Sequence, residues 1–256
     1  MKKVSKILLL VFVASILVLK INASCELSWY CKRTKDHSQP SLDSNLSIVD
    51  KYGVIWIDRA HATMDQEKVV YLTFDAGYEN GNVEKILDVL DSENVKGNFF
   101  VLENILLKNH DLIEKMIDGG HMILNHTAKH KNMARMTSKE EFEAELKRLE
   151  EIYNREYGSS MSKIYRPPEG KFNENNLKWA SELGYTTVMW SFAYADWDNG
   201  RQMSPQKAKE KILENLHNGE IMLLHPTSST NAEIMRDLII ELREQEFRFG
   251  TLDELC

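Results

Sequence analysis

Five short segments set polar, reaction-competent side chains at the ends of apolar runs: residues 73–79 with Asp75, 125–130 with His126 and His130, 166–170 with Arg166, 195–197 with Asp196, and 223–225 with His225. Strand ends that carry acids, imidazoles and a guanidinium in place of plain turn residues are what a pocket at the mouth of a sheet requires. Asp75 follows Val-Val-Tyr-Leu-Thr-Phe and is trailed by Gly77, so it can project from a strand tip as a general base; an Asx-turn is the competing reading. His126 and His130 have the i, i+4 spacing at which two imidazoles on one helical turn can hold a metal, or simply begin a solvated helix. Arg166, stiffened by Pro167 and Pro168, offers a fork that pairs with a carboxylate and keeps it ionised, against the alternative of a rigid structural turn. Asp196 beside Trp197, and His225 held extended by Pro226, can combine into an acid that orients an imidazole and raises its pKa for proton donation. Each segment alone is ambiguous, and together they read as one active site.

Positioning these groups calls for a parallel sheet. Runs at residues 69–74, 97–101, 121–124, 163–165, 186–190 and 221–224 are short and largely apolar on both faces, as buried parallel strands must be. Helical patterns alternate with them. Ser138 with Glu141 reads as a capping box, Ser204-Pro205 as a cap and N1 proline before a helix closing near Asn218-Gly219, and Thr230 with Glu233 as a second box. Gly119 and Gly184 take the C′ place after helices. Six or seven such units in about 190 residues predict an α/β barrel slightly smaller than the usual eightfold one, with a doubly wound open sheet as the alternative.

Lys2, Lys3 and Lys6 precede an apolar run at residues 7–19 and the small residues Ala23 and Ser24, the grammar of a signal peptide or short N-terminal anchor over residues 1–24. Cys25 after small residues suggests lipidation, but Asn22 stands where such sites carry an aliphatic residue. Residues 25–67 are polar and irregular, a linker or wrap, although Trp29, Tyr30, Tyr52 and Trp56 would be costly to leave in water. Residues 68–256 form the one large domain. The 256 residues include only three cysteines, too few for a disulfide framework; Cys25 and Cys31 can pair, and unpaired thiols are the plainer reading. The formal net charge is −7, and removing residues 1–24 takes away four lysines and no acid, leaving a chain near −11 that argues against nucleic acid as partner.

In order and spacing, the five segments resemble the motifs of the NodB-type polysaccharide deacetylases, carbohydrate esterase family four, over residues 68–255. The run at residues 71–80, Arg166-Pro167-Pro168, Asp196-Trp197, and Leu223-Leu224-His225 followed by Asn231-Ala232-Glu233 look most like the PdaA branch, as does Ser28-Trp29-Tyr30 with His37 and Pro40 upstream. The resemblance implies a distorted seven-stranded β/α barrel and de-N-acetylation of muramic acid in a peptidoglycan strand, leading to the muramic δ-lactam of spore cortex. With the signal-like residues 1–24, the expectation is an exported, extracytoplasmic, monomeric enzyme of that kind. Carried over, Asp75 is the general base, Arg166 its tether, His225 the general acid and Asp196 its tuner. His126 and His130 would ligate a divalent metal such as Zn, Co, Mn or Mg. Trp197 and Leu223 would line the acetyl pocket, with Tyr78, Pro167 and Glu169 contributing substrate contacts. Ala76 stands where most of the family has a third ligand, an Asp, as the PdaA branch also lacks it. That leaves two further readings: a deacetylase of N-acetylglucosamine chains, or a carbohydrate-binding barrel without turnover.

Overall fold

The computed structural model describes residues 25–256, so the expected signal or anchor at residues 1–24 lies outside the described residues. In chain order the elements are β1 (Leu27–Ser28), α1 (Ile48–Lys51), β2 (Lys68–Ala76), α2 (Val83–Ser92), β3 (Asn98–Val101), α3 (Glu103–Lys108), α4 (His110–Asp118), β4 (Met122–Asn125), α5 (Lys139–Tyr157), β5 (Ile164–Tyr165), β6 (Lys171–Phe172), α6 (Glu174–Glu182), β7 (Thr186–Thr187), α7 (Pro205–Asn215), β8 (Glu220–Leu224), α8 (Ser229–Glu244) and β9 (Phe247–Phe249). Short 3-10 turns follow Asp43, Asn132, Pro167 and Thr251. A seven-stranded parallel sheet runs β7-β5-β4-β3-β2-β8, with β9 also on β2. The ring closes through residues 186–192, which pair with β5 at one end and bridge Met222 of β8 through Phe192 at the other. Ile55 wedges in beside Val188, taking Met189 N–H on its carbonyl at 2.8 Å, and this insertion leaves β7 two residues long instead of the five expected. The result is a distorted β/α barrel.

The strand period of two sorts every strand into an inner and an outer row. On β2, Val69 and Tyr71 face the barrel interior with Phe100, Leu124, Ile164, Val188 and Ile221. Val70, Leu72, Phe74 and Ala76 face outward into the layer under the helices, against Ile86, Ile113, Ile212 and Leu238. Fully burying a side chain such as Phe74 contributes roughly 1.5–3 kcal/mol, which pins the register because a slip by one residue would exchange the two rows.

Residues 25–67 dock as a wrap rather than float. β1 pairs antiparallel with β6, and Trp29, Val49, Val54 and Trp56 bury themselves against Phe172, Leu177 and Met189. Tyr30 stays 43% exposed, with its hydroxyl on Asp43. All three cysteines are free thiols; Cys31 donates to the Ser191 carbonyl, and burial pushes its pKa up to about 12.

The helix ends differ in detail from the sequence signals. Ser138 caps α5 as expected, but the Glu141 carboxylate reaches back to Thr137 N–H, one residue beyond the box. Ser228 caps α8 in place of Thr230, whose hydroxyl is spent on the Met203 carbonyl. α7 ends at Asn215, short of Gly219, and after α4 the left-handed turn falls on Gly120 rather than Gly119.

Candidate active site

The inner rows decide which side chains meet. Following each inner row to the strand's carboxyl end or up to three residues past it gives Asp75 from β2, Leu102 from β3, His126 from β4, Arg166 from β5, Trp190 after β7 and both Leu223 and His225 from β8. Because the strands are parallel and in register, these ends converge on one mouth. There they line a cleft of about 910 Å³ with Tyr78, His130, Glu169, Tyr194, Trp197 and Thr227, while Arg166 lies behind it.

Asp75 and Arg166 form the first pair. Arg166 is 0% exposed and donates from Nη1 to Asp75 Oδ1 at 2.8 Å, from Nη2 to the Met189 carbonyl at 3.1 Å and from Nε to the Val188 carbonyl at 3.3 Å. Its guanidinium lies 4.0 Å from the centroid of Phe100. Each of the three nitrogens is engaged and the side chain is buried, so the fork cannot swing away. Burial alone would push the Asp75 carboxyl up, but the charges of His126, Arg166 and His225 outweigh it and hold the pKa below the usual carboxylate range. Burial drops His126 to about 4, so at neutral pH that ring is uncharged and Arg166 and His225 carry the effect.

His126 Nδ1 donates to the Arg166 carbonyl at 2.9 Å, which leaves Nε2 as a lone pair 3.5 Å from Asp75 Oδ2. The His130 ring stands 5.2 Å from it, centroid to centroid. The i, i+4 spacing does not act through a helix, as the sequence suggested: residues 126–130 are a loop in which Thr127 (φ 71) and His130 (φ 54) adopt left-handed backbone. Asn125 Oδ1 accepts from Thr127 N–H at 2.8 Å, Thr127 Oγ1 from His130 N–H at 3.0 Å, and Glu145 Oε2 from Lys129 N–H at 3.2 Å, so α5 braces the turn. Among the described residues no group of three or more His, Cys, Asp or Glu forms a metal cage. Ala76 belongs to the buried outer row and has no donor atom. Two imidazoles with a carboxylate beside them fit a divalent ion that takes water or substrate for the rest of its shell.

The second pair is Asp196 with His225. Asp196 is buried; Oδ1 bonds His225 Nδ1 at 2.8 Å, and Oδ2 accepts from His225 N–H at 2.8 Å and from Asn231 Nδ2 at 2.6 Å. Burial would lower the His225 pKa, but the bond and charge of Asp196, reinforced by Asp75, leave it raised. Nε2 is thereby the ring atom free for the cleft.

A family model described as polysaccharide deacetylase matches residues 63–188. The chain is 36% identical over 230 residues to the peptidoglycan-N-acetylmuramic acid deacetylase PdaA of Bacillus subtilis, covering 90% of this chain and 85% of that protein. It is 34% identical over 190 residues to a peptidoglycan-N-acetylglucosamine deacetylase of Bacillus cereus, covering 73% of this chain and 67% of that protein. The solved structure of B. subtilis PdaA, described as a family 4 carbohydrate esterase, superposes with a TM-score of 0.83 over 90% of this chain and 96% of that one. The chain belongs to the polysaccharide deacetylase family.

Within this polysaccharide deacetylase barrel most of the expected residues converge. Asp75, His126, His130, His225, Leu223, Tyr78 and Glu169 line the cleft; Arg166 and Asp196 sit directly behind it. Trp197 stands at the rim, 65% exposed, rather than closing a wall. Pro167 does not line the cleft; it is buried, and its carbonyl accepts from Gly170 N–H at 3.1 Å to shape the turn that presents Glu169. Asn231, quoted above only as part of the resemblance and given no role, holds Asp196 and the His225 carbonyl and is itself oriented by the Tyr194 hydroxyl. Gln202, bonded to the Asp196 and Asp198 carbonyls, was invisible. The available signal for Asn231 was its place in the first turn of a helix directly after His225, where a buried amide is unusual without a partner.

Proposed function

We propose that this chain is an extracytoplasmic peptidoglycan deacetylase that hydrolyses the N-acetyl amide of muramic acid. The observation that carries this reading is that Asp75 and His225 share one cleft, each pinned from behind by a buried partner so that one oxygen and one ring nitrogen remain for substrate. Similarity to PdaA supplies the substrate, and the signal-like residues 1–24 supply the compartment.

With Oδ1 committed to Arg166, Asp75 Oδ2 takes a proton from the attacking water as its oxygen bonds the acetyl carbon. Glu169 (φ 57) lines the cleft, and its backbone N–H has no acceptor among the described residues, so it can donate to the oxygen that gains charge. His225 Nε2–H then gives its proton to the departing nitrogen as the C–N bond breaks, releasing acetate and a free amine. Deacetylases of this family are metalloenzymes. His126 and His130 would hold the ion, which when bound polarises the acetyl carbonyl and acidifies water. The freed amine stands near the lactyl carboxyl of the same sugar, so the product can close to the muramic δ-lactam of spore cortex, the nitrogen bonding the carboxyl carbon as one carboxyl oxygen leaves as water.

Acetate release from peptide-free muramic acid oligomers tests the proposal, with mass spectrometry of muropeptides from walls made with and without the protein as the cellular counterpart. Activity confined to N-acetylglucosamine chains would replace the substrate assignment, and binding without acetate release under Zn, Co, Mn and Mg would replace catalysis altogether.

The pKa directions set the pH profile. His225 must be protonated and its pKa lies above the ordinary 6.5, so activity should persist through neutrality and fall on the alkaline side. Asp75 must be ionised and sits below the ordinary 3.8, so its loss belongs to strongly acidic solution. In Asp196→Asn, which removes the charge that raises His225, the alkaline fall of kcat/KM should move to lower pH; an unmoved limb would assign it to another group. Replacing His130 with Ala should lower metal content after equilibration with Zn, read by elemental mass spectrometry, and unchanged content would show that the pair does not hold the ion.

A further inference from the structure

The muramic substrate brings a carboxylate that its glucosamine counterpart lacks, the lactyl group on O3, and a cleft lined by Asp75 and Glu169 must offset its charge. Arg166 cannot do so, because it is 0% exposed behind the cleft with each nitrogen bonded to Asp75 or to a carbonyl. Lys171 is differently placed. Its Nζ lies 2.5 Å from Oε2 of the cleft-lining Glu169, with side chains 29% and 50% exposed. Lys171 does not itself line the cleft, but it stands directly behind Glu169, and Glu169 is solvated enough to turn away and open the ammonium to another carboxylate at that edge.

The wall is held by the wrap. Lys171 pairs with Ser28 across β1 and β6, Trp29 N–H donates to the Gly170 carbonyl at 2.8 Å, and Trp29 Nε1 donates to the Trp190 carbonyl at 2.8 Å. Gly170 (φ +61) is packed so closely that an added Cβ would stand 2.7 Å from the Trp190 ring and 2.9 Å from Trp29 Cβ. The Glu169-Gly170-Lys171 backbone thus has little room to shift.

Resting on the proposed function, we infer that Lys171, fixed by the wrap and guarded by Glu169, binds the lactyl carboxylate and sets the preference for muramic acid. The test compares kcat/KM for acetate release from N-acetylmuramic acid oligomers with the free lactyl carboxylate and from the same oligomers with that group as a neutral methylamide. Wild type should favour the acid by roughly 10-fold or more, the scale of one charge-assisted hydrogen bond. K171Q should lose that preference through KM rather than kcat, and K171R should retain most of it. R201Q is the comparator, since Arg201 is an exposed cation on the turn after Trp197 with no ion pair among the described residues, and it should keep the preference. Preference intact in K171Q, or abolished in R201Q, overturns the assignment. Equal turnover of both oligomers by wild type also overturns it while leaving the deacetylase reading standing, whereas turnover of neither removes the proposed function itself.

Discussion

Asp75→Asn is expected to cut acetate release by roughly 10²-fold or more with the barrel still folded. The amide occupies the same volume and its oxygen can still accept from Arg166 Nη1, so the geometry at the strand end is kept. What disappears is the capacity to take a proton at Oδ2, the oxygen facing His126. The guanidinium loses its counter-charge but keeps the Val188 and Met189 carbonyls and the face of Phe100. A lowered melting temperature with an intact cooperative transition is therefore expected beside the kinetic loss. The decisive measurement is kcat on muramic acid oligomers at saturating substrate, together with a melt. Turnover near that of wild type would assign the base elsewhere.

Arg166→Met has a second large effect, on stability as well as rate. Removing one partner of a buried pair leaves the other charge uncompensated, a change of about 3–5 kcal/mol, large beside a typical domain stability of about 5–15 kcal/mol. The buried carboxyl would respond by protonating, and a protonated Asp75 is no base at neutral pH. The sign of the pH dependence separates this from simple loss of packing. In wild type the folded pKa of Asp75 is depressed, so its contribution is present above the unfolded value and lost as pH falls through the folded one. In the variant burial raises the folded pKa, so the fold is favoured at low pH and loses stability as pH rises through it. Denaturant midpoints at neutral pH and in acid below the ordinary carboxylate pKa of 3.8 check the reversal, wild type losing stability on acidification and the variant not; parallel changes in the two proteins would mean that Asp75 is not ionised against Arg166.

Much of the site was legible in the sequence because strand signals are local. The apolar run ending in Asp75 has a period of two, so the parity that puts Tyr71 inside the barrel also aims Asp75 into the cleft, and the same count carries Leu124 to His126 and Ile221 to His225. His126 and His130 do meet in one cleft, but through a loop and not the helical turn that their spacing suggested. Spacing cannot tell a helical turn from a loop held by Asn125 and by Glu145 of α5. Asn231 received no role because the carboxylate it holds, Asp196, is 35 residues away, a partnership that residue type and local spacing do not reveal. Caps shifted where a competing hydroxyl or carboxylate had a better partner, as Thr230 does in the Met203 carbonyl.

The resemblance of the five motifs implied a barrel of this family; by itself the sequence determined which chemical groups are present and that they terminate buried strands. Those properties reside in residue type and short-period burial. Only the tertiary structure decided that residues 186–192 and Ile55 close the ring, that Trp29 of the wrap braces the cleft wall, and that Asp75 and His225 each receive one buried partner. Those outcomes depend on register and packing between segments far apart in the chain, where a shift of a single residue would turn every one of these side chains away from the cleft.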